Sequence, residues 1–255
     1  LYHNKKLIFD CGRGTAQKAI DIDKFKKIKI PIPSLERQKE IVEQLDFIYE
    51  KCIETSEEKI SQLKRLNQIY LQNVKRYGQC EVKKLCELFN LGRSGKTNTK
   101  DISSSGEYPF YRASVSNPSG THKSYDFDGS KYLLIIKSGG SSAKPISRNY
   151  GIGKVFLVNG KCAANIAVFQ LNPISHNNII YIHYYLDYIQ FEIQKLAKYT
   201  TNNGNIDMKA LMQLKIPIPS LDKQKEIVNF CEQNDVLIKQ LELEIEENKK
   251  LGTQI

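Results

Sequence analysis

Several short segments carry residue types that meet phosphates or bases. Residues 92–97 read GRSGKT, the end of a phosphate-cradling P-loop pattern. The full pattern needs a glycine five residues before Gly95, and Asn90 stands there. Arg93 and Lys96 remain able to contact phosphate, or the segment is a plain turn. Residues 151–156 read GIGKVF, with Phe156 where a dinucleotide fingerprint needs its third glycine. That segment also precedes a strand-like run instead of following one, so it is read as a turn. Residues 137–144 (KSGGSSAK) form a basic, flexible loop that can approach DNA or close a hairpin. Residues 108–120 (YPFYRASVSNPSG) mix aromatics with Arg112 and Asn117. Arginine and asparagine suit purine edges, and serine and tyrosine suit phosphates. The alternative is that these aromatics pack inside, which is expected for Phe110. Residues 199–205 (YTTNNGN) are a polar loop that either meets DNA or caps a sheet. The candidate DNA contacts are Arg93, Lys96, Tyr111, Arg112, Asn117, Lys123, Lys137, Ser138, Lys144, Arg148, Asn202 and Asn203.

No catalytic constellation emerges. No local pattern supports a Ser/His/Asp arrangement. Glu81-Val82-Lys83 matches a fragment of nuclease motifs, but metal-dependent cleavage needs grouped carboxylates. The nearest upstream acid is Glu58, on a helix. Asn117-Pro118-Ser119-Gly120 departs from the Asn/Asp-Pro-Pro-aromatic motif of an adenine methyltransferase. Cys11, Cys52, Cys80, Cys86, Cys162 and Cys231 form no CxxC pair, and the four histidines complete no ligand pattern. The expectation is no metal and no cofactor.

These segments sit in a chain of 255 residues whose charge is unevenly placed. The net charge is +10. Residues 1–33 carry 8 basic and 3 acidic groups, residues 34–79 carry 8 and 8, residues 80–215 carry 17 and 9, and residues 216–255 carry 5 and 8. The resulting +8 on residues 80–215 favours a polyanionic partner, most simply nucleic acid. No apolar run is long enough to span a bilayer and no signal peptide is visible. With scattered cysteines, this fits a reducing cytoplasm. The first residue is Leu1, not Met, so the chain can be numbered from inside a longer one.

The elements that position these segments follow from a repeat. Residues 28–42 (IKIPIPSLERQKEIV) recur as residues 214–228 (LKIPIPSLDKQKEIV), with 12 of 15 positions identical. Thr15 and Ile20-Asp21 match Thr201 and Ile206-Asp207, so the repeat starts before the block. In each copy two prolines impose an extended path and Ser34 or Ser220 is a natural helix N-cap. From Leu35 to Tyr77 there is no proline or glycine, and Gly78 is a natural stop. Ile41, Leu45, Ile48 and Cys52 form a stripe, and Leu63, Leu66, Tyr70 and Val74 resume it after a polar break over 54–59. The second copy gives Ile227, Cys231, Asn234, Ile238, Leu241 and Ile245, alternating four and three, with Gly252 able to end the helix. Such spacing is a coiled-coil seam, with Asn234 either fixing register or merely tolerated there. The two helices are expected to pair antiparallel through Ile41, Leu45, Ile48, Ile227, Ile238 and Leu241. Leu66 and Tyr70 then fall near Ile227, and Ile41 and Leu45 toward Leu241 and Ile245.

Between the helices, residues 131–136, 154–158 and 166–171 are strand-like, and residues 178–196 form a proline-free, apolar helix. The fold class is α+β, a domain with a mixed, twisted sheet plus two long antiparallel coiled-coil helices. The expected boundaries are 1–30 (the end of a domain), 31–78 (a long helix), 79–215 (a complete domain) and 216–255 (a second long helix).

Taken together, the two junction blocks, the GTAQKAID stretch at 14–21, EYPFYRAS and KYLLIIKSGG resemble the specificity subunit of type I restriction-modification systems. The resemblance implies a target recognition domain over 79–215, a remnant of another over 1–30, and helices acting as spacers. It implies a subunit that does no chemistry. It would read double-stranded DNA and hold modification (methyltransferase) and restriction (motor-nuclease) subunits. A chain with one complete recognition domain could regain two by self-association. The competing readings are a fragment of a DNA-modifying enzyme, or a coiled-coil adaptor that does not read DNA.

Overall fold

A computed structural model describes residues 11–13, 19–76, 80–103, 105–140, 147, 151–175, 178–200 and 203–252. Thr15, Gly78, Lys144, Arg148, Thr201 and Asn202, named above, lie outside the described residues. The chain forms two compact units, Leu1–Leu63 with Val236–Ile255, and Lys64–Asp235.

In the first unit, β1 (Gly12–Arg13) pairs antiparallel with β2 (Ala19–Ile20). The short helix α1 (Ile22–Lys26) follows, capped by the Asp21 carboxylate, which accepts from the Asp23 and Lys24 amides. Helix α2 (Leu35–Asp46) starts at Ser34, whose hydroxyl accepts from the Arg37 amide at 3.3 Å. A π-type segment, Phe47–Glu54, leads into α3 (Thr55–Gln72). The wider turn decides which residues face inward. An i→i+5 turn sets Ile48 above Ile53, where an α-helix would have continued through Cys52. Ile53, Ser56 and Ile60 are therefore buried, and the seam runs through the stretch expected to be a polar break. Leu66 is 47% exposed, so it is not a seam residue.

The second unit begins with β3 (Glu81–Lys84), α4 (Leu85–Leu88) and β4 (Phe89–Ser94). Then come β5 (Tyr108–Tyr111), β6 (Thr121–His122), β7 (Tyr132–Ile136), β8 (Ser138–Gly139), β9 (Val155–Val158), β10 (Ala163–Ala164) and β11 (Val168–Pro173). The 178–196 stretch divides into α5 (Ile179–Tyr188) and α6 (Gln190–Gln194), broken at Ile189 with φ −88° and ψ 18°. β12 (Ala197–Tyr199), β13 (Gly204–Ile206), α7 (Met208–Met212), β14 (Lys215–Ile218) and α8 (Leu221–Gly252) complete the chain.

The largest sheet has the order β4-β11-β7-β9 and is antiparallel throughout. The parallel pairing lies elsewhere, between β10 and β5, so the mixed character is spread over separate sheets. All five residues of β7 are buried. An unbroken apolar run signals a strand covered on both faces, and alternate side chains then go to opposite sides. Leu133 and Ile135 join the core built on α5, β14 and the start of α8. Tyr132, Leu134 and Ile136 join a second core with Tyr111, Phe127, Cys162 and Val168. Full burial of each such chain contributes roughly 1.5–3 kcal/mol.

The repeated block is built twice with different surroundings. In the second copy β14 pairs with β3, and Ile216 and Ile218 are buried. Pro217, with no N–H to give, sits in this two-stranded ribbon, and its carbonyl accepts from the Tyr181 hydroxyl at 2.7 Å. In the first copy Ile30 and Ile32 are exposed. Local features are nonetheless shared. Gln38 and Gln224 each donate from Nε2 to the proline carbonyl five residues back, at 2.7 Å. Asp21 and Asp207 each cap a five-residue helix, which explains the repeated Ile-Asp pair.

Of the α8 stripe read from the sequence, Ile227, Cys231, Asn234, Ile238 and Ile245 are buried and Leu241 is half-buried. Ile227 and Cys231 belong to the α5-side core. Ile227 is thus a domain-core residue as well as a seam position. In the second unit, Asn234 Nδ2 donates to Asn67 Oδ1 at 2.6 Å and Tyr70 stacks on Phe230 at 4.6 Å, an antiparallel order. In the first unit, Ile238 and Ile245 pack with Ile53 and Ile60, joined by Ile48, Leu63 and Leu241. Ile41 and Leu45 are half-buried, and Leu45 lies beside Gly252, about one heptad beyond the partner expected for it.

Candidate nucleic-acid interface

Two loop groups on the second unit gather the polar residues singled out in the sequence. The first is held by pairing of β8 with β13, Gly204 opposite Gly139 and Asn205 opposite Ser138. This brings the KSGG and YTTNNGN segments together. Ser138 Oγ donates to Asn205 Oδ1 at 2.5 Å, and the Lys137 carbonyl accepts from the Ile206 amide. Gly139 and Gly140 have φ of +144° and +80°, conformations that favour glycine. Gly151 lies against the Ser114 backbone and Gly139 beside Ala113, so the Arg112–Ser119 loop adjoins this ribbon. Arg112, Lys137, Ser138 and Asn203 thus fall in one neighbourhood. Arg112 and Asn203 are exposed, and Lys137 lies half-buried with its ammonium 5.6 Å from the Phe169 ring.

Asn117 has a different role from the base reader expected. Its Oδ1 accepts from the Arg112 amide and the Ser119 hydroxyl, both at 3.0 Å. Its Nδ2 donates to the Arg112 and Ser114 carbonyls at 3.0 and 2.7 Å. The whole amide is used inside the loop, which it ties into the shape that presents Arg112. Tyr111 is likewise displaced from the candidate surface. It is 8% exposed in the second core, and burial pushes its hydroxyl pKa up to about 12.

The second group surrounds Asp126. Its Oδ1 accepts from the Lys96 amide at 2.9 Å, and its Oδ2 from Thr97 Oγ1 at 2.7 Å and the Ala164 amide at 2.8 Å. The Arg93 guanidinium donates to the Asp126 carbonyl and lies 5.2 Å from the Phe127 ring centre. The GRSGKT segment is therefore a strand end tied to a neighbouring loop. A Cβ at Gly95 would stand 2.1 Å from the Ala164 carbonyl oxygen, which is why glycine is required. Arg93 is engaged by the protein, while the Lys96 and Lys123 side chains are exposed. Sequence reasoning passed over Asp126 because its partners lie about 30 to 38 residues away and no local spacing marks it. It also passed over Tyr125, an exposed ring with the Lys161 ammonium 4.5 Å from its centre and Tyr108 edge-on at 5.1 Å.

Among the described residues no three His, Cys, Asp or Glu side chains group to hold a metal ion. Burial pushes the Cys162 thiol up to about 11, beside the Tyr132 hydroxyl at 3.2 Å. A neutral buried thiol is a packing element, not a nucleophile.

The type I restriction modification DNA specificity domain model matches residues 1–65 and 78–247. The chain belongs to that family. Its relatives include a protein named as a type I restriction enzyme specificity subunit of Haemophilus influenzae, 27% identical over 167 residues, 65% of this chain and 40% of that one. Another, named as the MjaX specificity subunit of Methanocaldococcus jannaschii, is 29% identical over 180 residues, 65% of this chain and 42% of the relative. The chain thus spans about two-fifths of each. The crystal structure of a type I restriction-modification S subunit from M. genitalium aligns with a TM-score of 0.64 at 16% identity. It covers 99% of this chain and 68% of that one, and the shared fold is α+β.

Proposed function

We propose that the chain reads DNA sequence for a type I restriction-modification assembly, through the unit that carries the Arg112 loop and the β8–β13 ribbon. The observation that carries the reading is convergence. Two polar segments 60 residues or so apart in sequence, on the part of the chain with 17 basic and 9 acidic groups, are paired strand to strand beside an exposed arginine. Exposed lysines supply non-specific attraction through phosphate contacts. Arg112 supplies base discrimination, presented by a loop that Asn117 holds. The chain does no chemistry itself. Its helices hold modification and restriction subunits, and it acts on DNA in the cytoplasm. One recognition unit accounts for one half-site.

The test compares cognate and scrambled duplexes with the assembled complex at one salt concentration. Arg112→Ala should lose about 1–3 kcal/mol on the cognate duplex and much less on the scrambled one. Charge reversal at Lys137 should weaken both duplexes alike and flatten the salt dependence. Equal losses on both duplexes for Arg112→Ala would assign it to phosphate contact. No loss from either variant would remove this face from the interface.

A further inference from the structure

Tyr125 is a large ring left 46% exposed on a loop that is otherwise firmly fastened. The Asp126 and Phe127 amides both donate to the Cys162 carbonyl, at 2.9 and 3.0 Å, and the Cys162 amide donates back to the Phe127 carbonyl at 3.0 Å. This pairing sets Lys161 beside Tyr125, with the ammonium 4.5 Å from the ring centre. The Tyr108 ring meets Tyr125 edge-on at 5.1 Å. A ring held this way has little freedom to lose when a partner arrives, which lowers the cost of binding.

The charge around the ring decides what that partner is. Lys96, Lys123, Lys131 and Lys161 are exposed, and none has a carboxylate partner among the described residues. Lys96 is tied in through its amide on Asp126, and Lys123 lies two residues before Tyr125. Lys131 donates its amide to Asn159, two residues before Lys161, at 3.4 Å. By contrast, Lys195 is paired with Glu192 at 2.7 Å and Lys198 with Asp207 at 2.9 Å. The Asp126 carboxylate is spent on three internal bonds. Glu107 and Asp128 are the exposed acids of these loops, and Glu107 is bonded to the Tyr108 hydroxyl. A cation–π contact contributes about 0.5–1 kcal/mol at an exposed site and leaves the ammonium charged. Lysines in excess around a tyrosine hydroxyl suit the oxygens of a sugar–phosphate strand.

The strand that links this cluster to Arg112 sets a distance. Tyr108 opens β5, and Arg112 follows its last residue, Tyr111. Four residues of strand at about 3.3 Å each span about 13 Å, close to the width of a DNA major groove. We propose that Tyr125 and Lys161, with the lysines beside them, grip the phosphate backbone of the same duplex whose bases Arg112 reads. This rests on the DNA reading above and gives the Asp126 loop group its part in it. The contact is sequence-independent, and β5 spaces it from the reading loop.

The test measures the assembled complex on cognate and scrambled duplexes over a series of salt concentrations. Lys161→Ala should weaken both duplexes alike, by about fivefold to tenfold in 0.1 M salt, and lower the slope of log affinity against log salt by about 0.9. Tyr125→Ala should weaken both alike as well, and Tyr125→Phe, which keeps the ring, should lose only about threefold. Lys195→Ala, which removes a charge elsewhere on the second unit, should change neither affinity nor slope. Melting temperatures should stay at the parent value throughout, since both side chains are exposed. The proposal is overturned if Lys161→Ala and Tyr125→Ala leave affinity and slope unchanged. It is also overturned if their losses fall on the cognate duplex alone, if Lys195→Ala loses as much, or if they impair subunit assembly and not DNA binding, which would make the cluster a protein contact. Arg112→Ala in the same assay separates the two ideas. A cognate-specific loss there, with no effect at Lys161 and Tyr125, would sink this proposal and leave the DNA reading standing.

Discussion

Asp126→Ala should be among the most destabilising single changes available near the candidate DNA face. The carboxylate accepts three hydrogen bonds, from the Lys96 amide, the Thr97 hydroxyl and the Ala164 amide. Their loss is unequal. Lys96 is exposed and its amide can turn to water, while Ala164 is fully buried and its N–H would be left orphaned. An orphaned buried donor costs about 1–3 kcal/mol, and the two wetter bonds add about 0.5–1 kcal/mol each. The sum is about 2–5 kcal/mol. For a domain of this size each kcal/mol moves the melting temperature by about 2–4 °C, so a fall of about 10 °C is expected. Urea unfolding provides the measurement, since an unchanged slope with a lowered midpoint isolates stability. Thr97→Val, which removes one bond and keeps the volume, should cost only about 1 kcal/mol. A loss below about 0.5 kcal/mol for Asp126→Ala, or equal losses for the two variants, would refute the reasoning.

Further outcomes are expected elsewhere. Gly95→Ala places a methyl group 2.1 Å from the Ala164 carbonyl oxygen and should cost about 1–3 kcal/mol through backbone displacement, read by the same unfolding curve. Ile238→Asp puts a charge among Ile53, Ile60 and Ile245 and should cost at least about 3 kcal/mol, read by circular dichroism on heating. The exposed neighbour Lys239→Ala should stay within about 0.5 kcal/mol. Iodoacetamide at mildly alkaline pH should label the exposed Cys86 first. Cys162 and Cys231, whose thiols burial pushes up to about 11 and about 12, should be labelled only after unfolding, as mass spectrometry would reveal.

What could be read in advance divides along physical lines. The four-three stripe on α8 is legible because an unbroken α-helix keeps one face inward, and five of its six residues, all but Leu241, are buried. The partner stripe is not legible in the same way. Nothing in residues 47–54 announces an i→i+5 turn, yet that turn moves the buried face from Cys52 to Ile53 and from Leu66 to Asn67. β7 is visible as an apolar run, and its two-sided burial follows from the lack of alternation. In the second unit, residue type suggested contacts that topology reassigns. Tyr111 looked like a phosphate contact, but its strand pairs with β10 and turns the ring into the core. Asn117 looked like a base reader, but four hydrogen bonds inside its own loop take up its amide. Asp126, the residue that organises its neighbourhood most, is invisible locally because its partners arrive from distant strands.

The division of β7 between two cores has a consequence for how the proposed DNA-reading face can change over evolution. Tyr132, Leu134 and Ile136 serve the core that carries Tyr111 and Phe127, the chain neighbours of Arg112 and Asp126. Leu133 and Ile135 serve the core that holds α5, β14 and the root of α8. A lineage can therefore accumulate substitutions in the first set and remodel the loops in front of it, while the second set goes on anchoring the helices without compensation. Novelty and heritage are carried by alternate residues of one strand. Drift in specificity should leave its record at the even-numbered positions 132, 134 and 136, and restraint should be written at 133 and 135.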